Sequence, residues 1–210
     1  MNELYYEKLL GITTIGNQKV NKSNHYNIYE PTTYNSLELL TSQINITEND
    51  NFIDFGCGKG RLNFYMNYKF NCSTTGIEMN KYYYNDSLDN KKKYMLKNKN
   101  KGNNIKFLNI LAEDYLINDK DNIFYFFNPF TVEIFSKVIN NILLSLERNY
   151  RKITIILYYP LNDYIYFIED RTPFFLEKEI INTSLYHKDN NHKFLIYSNY
   201  FSSFNSKGDY

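Results

Sequence analysis

The chain has no tryptophan, a single alanine at position 112, four prolines, three histidines and two cysteines in 210 residues. Each shortage removes a class of protein. Cys57 and Cys72 are too few for a disulfide framework, and with so few histidines they form no metal-ligand pattern. No metal site is expected, and free thiols fit a reducing compartment, so the expected location is cytoplasmic. No run approaches the roughly eighteen apolar residues of a membrane-spanning helix. The opening stretch MNELYYEKLL carries acids and lacks the apolar centre of a secretory leader. A formal net charge of +1 gives no global field for nucleic acid or an acidic membrane, so partners must be read from local features.

What is abundant is aromatic: 22 Tyr and 16 Phe, beside many Asn, Lys and Ile. These rings can fill the volume that Leu and Ala usually fill, provided that buried Tyr hydroxyls find partners. Their number is therefore no evidence of a binding cage. The length suits one domain with a full core.

Short apolar runs alternate with longer mixed ones, the βαβ rhythm of an open, mostly parallel sheet. Strands are expected at 52–55, 74–78, 105–110, 123–127 and 153–158, and two more at 174–180 and 193–197. Periodicity does not decide whether the last two pair as a hairpin. Helices are expected at 60–68, 80–96, 132–146 and 162–169, and another at 32–44, opened by Pro31. Val132, Phe135, Val138, Ile139, Ile142 and Leu146 recur at helical spacing and give one stripe to lie on the sheet. The lysine-dense run 91–102 reads as a solvated helix end and loop, and 202–210 as a fraying polar tail.

Chemistry concentrates in NFIDFGCGKGR, residues 51–61, where an apolar strand ends in Asp54 and enters a turn with glycines at 56, 58 and 60. Glycine there opens backbone angles closed to other residues and removes side chains that would hold a ligand away. A dinucleotide fingerprint spaces its glycines G-x-G-x-x-G, and here the third comes one residue early. That favours a ligand without phosphates. Glu78 ends the second strand, beside the turn if the sheet is parallel, where a carboxylate can accept both hydroxyls of a ribose; it could instead cap the next helix. The fourth strand ends in Asn128, Pro129 and Phe130 at the same edge. An asparagine amide can donate to and accept from a polar reactant there, although Asn-Pro is also ordinary turn punctuation. His25, His187 and His192 fall outside these strand ends and read as surface or packing residues.

In this order the pieces resemble the class I S-adenosylmethionine-dependent methyltransferases, over about 26–160. Within them the chain is most similar to a group of small bacterial enzymes with Y-x-P-T, here Tyr29-Glu30-Pro31-Thr32, ahead of D-F-G-x-G-K-G-R and N-P-F; the upstream GITTIG is similar too. The resemblance implies an α/β, Rossmann-like fold with a mostly parallel seven-stranded sheet and helices on both faces. It implies a helical segment at 1–50 over the cofactor site, a catalytic domain at 51–201 and a tail at 202–210. It implies S-adenosyl-L-methionine as cofactor. Asp54 and the backbone from Gly56 through Cys57 and Gly58 to Gly60 would hold the methionine moiety, Glu78 the ribose and Met79 the adenine, with Tyr29 and Thr32 also at the site. Relatives often put an acid after the third strand to read the adenine amine; here Leu111 stands there, so Glu113, Asp114 or the backbone of Ala112 takes that contact. Asn128, Pro129 and Phe130 would form the catalytic loop, with Asn128 also touching the cofactor.

A sulfonium donor needs chiefly an aligned nucleophile and exclusion of water, which fits a chain without a catalytic triad. The Asn128 amide oxygen and Pro129 carbonyl suit an amine acceptor, on a protein lysine or a small molecule. The Y-x-P-T segment also resembles, more distantly, that of protein-lysine methyltransferases. Nucleic acid ranks lower as acceptor, because the only dense basic feature is the 91–101 run. The competing readings are a nicotinamide-dependent oxidoreductase, disfavoured by glycine spacing, and a cofactor-binding module without turnover. Tyr158, Tyr159 and Tyr164 are candidate pocket walls.

Overall fold

A computed structural model describes residues 3–16, 29–99 and 101–200. His25, Tyr26 and the polar tail 202–210 lie outside the described residues. Among the described residues seven strands form one sheet: β1 (Asn51–Phe55), β2 (Ser73–Ile77), β3 (Ile105–Leu108), β4 (Ile123–Phe126), β5 (Thr154–Tyr158), β6 (Phe175–Ile181) and β7 (Lys193–Ser198). Their order is β3-β2-β1-β4-β5-β7-β6, with β1 to β5 parallel and β7 antiparallel to both its neighbours. The last two strands do pair antiparallel, and β7 inserts between β5 and β6. All seven expected strands are present, their ends shifted by at most two residues.

The helices are α1 (Glu3–Leu10), α2 (Tyr34–Thr41), α3 (Arg61–Phe70), α4 (Lys81–Lys97), α5 (Val132–Arg148), α6 (Asn162–Arg171) and the single turn α7 (Thr183–Tyr186), with a 3₁₀ turn at Ala112–Asp114. Both sheet faces are covered, so β4, IFYF, is buried at every position instead of alternating with polar residues. Phe52, Tyr125, Ile156, Phe194 and Ile196 pack toward one cluster with residues of α1, α2 and α3. Ile53, Phe124, Phe126, Ile155 and Leu195 pack toward the other, where the expected stripe of α5 lies: Phe135, Val138, Ile139, Ile142 and Leu146 are all buried.

Two expectations are corrected. Pro31 does not open α2; Thr33 is its N-cap, accepting from the Ser36 N–H, because a hydroxyl satisfies a free amide that proline cannot. The lysine run is only partly solvated. Lys91 Nζ donates to the Ile105 carbonyl at 2.6 Å, Lys101 to Tyr68 at 2.7 Å, and Lys97 to Lys8, so three cations are held on backbone carbonyls.

Candidate functional site

The sheet order reverses between β1 and β4: the chain moves outward to β2 and β3, then returns to the other side of β1. Loops leaving those two strands diverge, and the crevice between them is where ligands settle in open α/β sheets. Here the crevice is an open cleft. Tyr29, Thr32, Asp54, Gly56, Cys57, Glu78, Met79, Ala112, Asn128, Pro129 and Phe130 line it, residues from five separate stretches of chain.

The glycine turn is tightly bound to itself and to β2. Gly56 and Cys57 N–H donate to the Ile77 carbonyl, Gly60 N–H to Cys57, and Gly58 N–H to Glu78 Oε2 at 2.9 Å. A phosphate would need those amides, and they are engaged. Gly56 and Gly58 have φ of 79° and 53°, and side chains there would collide: a Cβ on Gly56 would sit 2.6 Å from Pro129 Cβ, one on Gly58 2.1 Å from the Tyr29 ring. Close approach and left-handed backbone both require glycine.

Asp54 and Glu78 are 5% and 7% exposed, and no basic side chain pairs with either among the described residues. Burial, and then the Glu78 charge, push the Asp54 carboxyl well above its ordinary range. Burial pushes Glu78 up to about 7, against the N–H groups of Asn80 and Gly58 that favour its ionised form. Glu78 Oε1 takes the Asn80 N–H at 2.7 Å, yet Asn80 itself caps α4 through its side chain. No described residue donates a hydrogen bond to the Asp54 carboxylate. A buried acid in that state calls for a cationic or hydrogen-bond-donating ligand. S-adenosylmethionine carries an ammonium, a sulfonium and two ribose hydroxyls, so these residues fit it.

Several cleft residues had no role in the sequence reading. Arg61, 4% exposed, lines the cleft and gathers the N-terminal segment: it donates to Thr14 Oγ1, to Glu3 Oε2 and to the Thr32 carbonyl, pairs with Glu7 at 3.6 Å, and lies 4.5 Å over the Tyr34 ring. An arginine at the start of a helix, in a chain with abundant lysine, was the available signal. Tyr83 meets the Tyr29 ring at 4.8 Å, and Tyr125 shares a 2.7 Å hydrogen bond with Thr32. Phe127 also lines the cleft.

Other candidates lie elsewhere. Gly58 and Gly60 shape the turn from behind, Gly60 as the N-cap of α3 with φ of 84°. Glu113 faces α5, its carboxylate 3.9 Å from Lys137 Nζ and its carbonyl accepting from Asn141. Leu111 is exposed beside the cleft residue Ala112. Tyr164 belongs to the core, stacked on Phe135 at 3.7 Å with its hydroxyl on the Phe130 carbonyl. His192, expected away from the strand ends, sits at one: β7 runs antiparallel, so its start meets the end of β5, and Nδ1 lies 3.2 Å from the Tyr158 hydroxyl. His187 follows α7 and is exposed. No group of ligating side chains that could hold a metal occurs among the described residues, and no helix there is long and apolar enough to cross a membrane.

Residues 14–149 match the model of a protein family described as histone methylation protein DOT1. Solved structures share the fold at low identity. An RNA methyltransferase from Salinibacter ruber, in complex with S-adenosyl-L-homocysteine, is 10% identical over 81% of this chain and 92% of that one, with a TM-score of 0.54. A methyltransferase from Geobacter sulfurreducens with the same ligand is 13% identical over 81% and 75%, with a TM-score of 0.55. The geranyl diphosphate C-methyltransferase of Streptomyces coelicolor A3(2) is 9% identical over 79% and 78%, with a TM-score of 0.56. No curated protein matches the sequence.

Proposed function

This chain belongs to the DOT1 family of histone methylation proteins, and we propose that, as an S-adenosylmethionine-dependent methyltransferase, it methylates an amine nitrogen, with a protein lysine as the favoured acceptor. The cofactor supplies a methyl group on a sulfonium that leaves readily. In this reading Asp54 pairs with its ammonium, Glu78 accepts from the ribose hydroxyls, and Met79, Ala112 and Ile110 cover the adenine. Glu113 and Asp114 are not needed for that contact. The segment before residue 50 belongs to the site as its cover, through Tyr29 and Thr32.

The acceptor assignment is carried by Asn128, a cleft residue with φ of 41° at the end of β4. Asparagine tolerates that left-handed conformation better than most residues, and in this reading its amide and the Pro129 carbonyl face the acceptor. Two such oxygens can accept from an amine and aim its lone pair. A lysine must arrive neutral, against an ordinary pKa of about 10.4; Phe127 and Phe130 exclude the water that would keep it charged. The family description, a histone methylation protein, supports protein over small-molecule or nucleic-acid acceptors.

The test is incubation of lysate with enzyme and labelled methyl donor, followed by separation into protein, nucleic acid and small molecules. Label on protein, released on hydrolysis as methyl-lysine, is the expected result. Label confined to nucleic acid would replace this reading with base methylation.

A further inference from the structure

Phe127 is the cleft ring next to Asn128, and residues from distant parts of the chain hold it. The Tyr158 ring meets it edge-on at 4.6 Å and the Tyr159 ring lies tilted at 6.4 Å. Neither tyrosine lines the cleft. Tyr158 stacks on Phe194 at 4.4 Å, and its hydroxyl lies 3.2 Å from both His192 Nδ1 and Ser36 Oγ. Tyr159 donates its N–H to the Lys193 carbonyl at 3.1 Å and its hydroxyl to Asp189, with the His192 ring edge-on at 5.2 Å.

The backbone agrees with the side chains. Tyr159 has φ of 52°, unusual for a bulky aromatic residue, and Asn128 on the neighbouring strand has φ of 41°. Phe126 and Leu157 form the last pair of that ladder, and Asn128 and Tyr159 each follow it by two residues. Strained turns persist where the surroundings fix them. Here those surroundings are the start of β7 and the loop before it.

We infer that Tyr158, Tyr159, Asp189 and His192 are positioning residues for the methyl acceptor: they clamp the Phe127 ring beside Asn128 and so set the acceptor wall of the cleft. The inference rests on the amine-methyltransferase reading and deepens it. It gives the C-terminal strand pair a role in acceptor selection, and it separates that role from cofactor binding, which uses β1, β2 and the turn at residue 112.

The chain has no tryptophan, so Phe127→Trp places a single indole inside the clamp, excited selectively at the red edge where tyrosine does not absorb. With S-adenosylhomocysteine bound, adding Tyr159→Leu or His192→Gln should raise acrylamide quenching about twofold or more, and Tyr159→Phe, which keeps the ring, less than half as much. Cofactor-product affinity should stay within about twofold. In the otherwise unaltered chain, where no tryptophan variant need fold, His192→Gln should speed amide exchange of the 123–131 segment about fivefold. With poly-L-lysine as acceptor, the same variant should raise KM about fivefold and leave kcat within about twofold. Unchanged quenching and exchange would overturn the clamp, and an altered clamp with unchanged KM would overturn its role in acceptor positioning. No transfer to poly-L-lysine by the wild type would instead remove the amine reading, and the inference with it.

Discussion

Arg61 Nε donates to Thr14 Oγ1 over 2.7 Å, joining the last residue of the glycine-turn motif to the segment that follows α1. Glu7 closes the same cluster from α1, accepting from the Thr14 N–H, the Thr14 hydroxyl and the Tyr34 hydroxyl. Arg61→Met leaves the buried Glu7 carboxylate without its cation, and breaking a buried pair from one side costs about 3 kcal/mol. Urea denaturation should show that loss. Arg61→Lys should recover less than half of it, since an ammonium cannot reproduce the planar fork that reaches Thr14, Thr32 and Glu3 together.

Gly58 and Tyr29 should prove energetically coupled. Gly58→Ala places a methyl where the Tyr29 ring lies and forces a left-handed alanine, and it is expected to weaken S-adenosylhomocysteine binding about tenfold or more by calorimetry. In a Tyr29→Ala background the steric part vanishes and the backbone part, about 1 kcal/mol, persists. Equal losses in both backgrounds would show that the ring is not what excludes the side chain.

The raised pKa of Glu78 gives a pH dependence of defined sign. The folded protein holds this proton up to about pH 7, whereas the unfolded chain releases it near 4.5. The stabilisation from the protonated acid is therefore complete below pH 4.5 and lost as pH rises through about 7. Its full size is on the order of 3 kcal/mol. Asp54 shifts in the same direction. Binding runs oppositely, because ribose hydroxyls prefer the ionised acceptor. S-adenosylhomocysteine affinity should climb by up to about tenfold per unit between pH 6 and 7 and then level off. Glu78→Gln should bind weakly and lose the step near pH 7; an unchanged slope through that range would assign the proton to another group.

Asn128→Gly isolates the amide from the backbone it sits on. Glycine accepts a φ of 41° without strain, so the turn survives while the amide is lost. Turnover should fall about a hundredfold with cofactor affinity unchanged. A variant with normal kcat would show that this side chain does not align the nucleophile.

The strands were legible because a sheet covered on both faces must be written in apolar runs, as IFYF in β4 and TIILY in β5 show. Asp54, Glu78 and Asn128 were legible for a related reason: each ends or follows such a run, and parallel strands carry their ends to one edge. What local pattern could not convey was anything set by pairing across distance. Leu195 lies opposite Leu157, and only that antiparallel register brings His192 beside Tyr158. Nor does composition separate Tyr164, which vanished into the core from α6, from Tyr159, which holds the edge directly after β5. Pro31 misled because proline at a helix start and proline two residues before a threonine cap look alike until the Thr33 hydroxyl is seen to accept.

The placement of β7 between β5 and β6 has a consequence for synthesis. While residues 193–198 are still inside the ribosome, β5 shows an open row of peptide groups and β6 has nothing to join. The emerging polypeptide is thus prone to clump until β7 arrives, and a message cut short before that point would yield sticky, chaperone-dependent product instead of a slightly smaller enzyme.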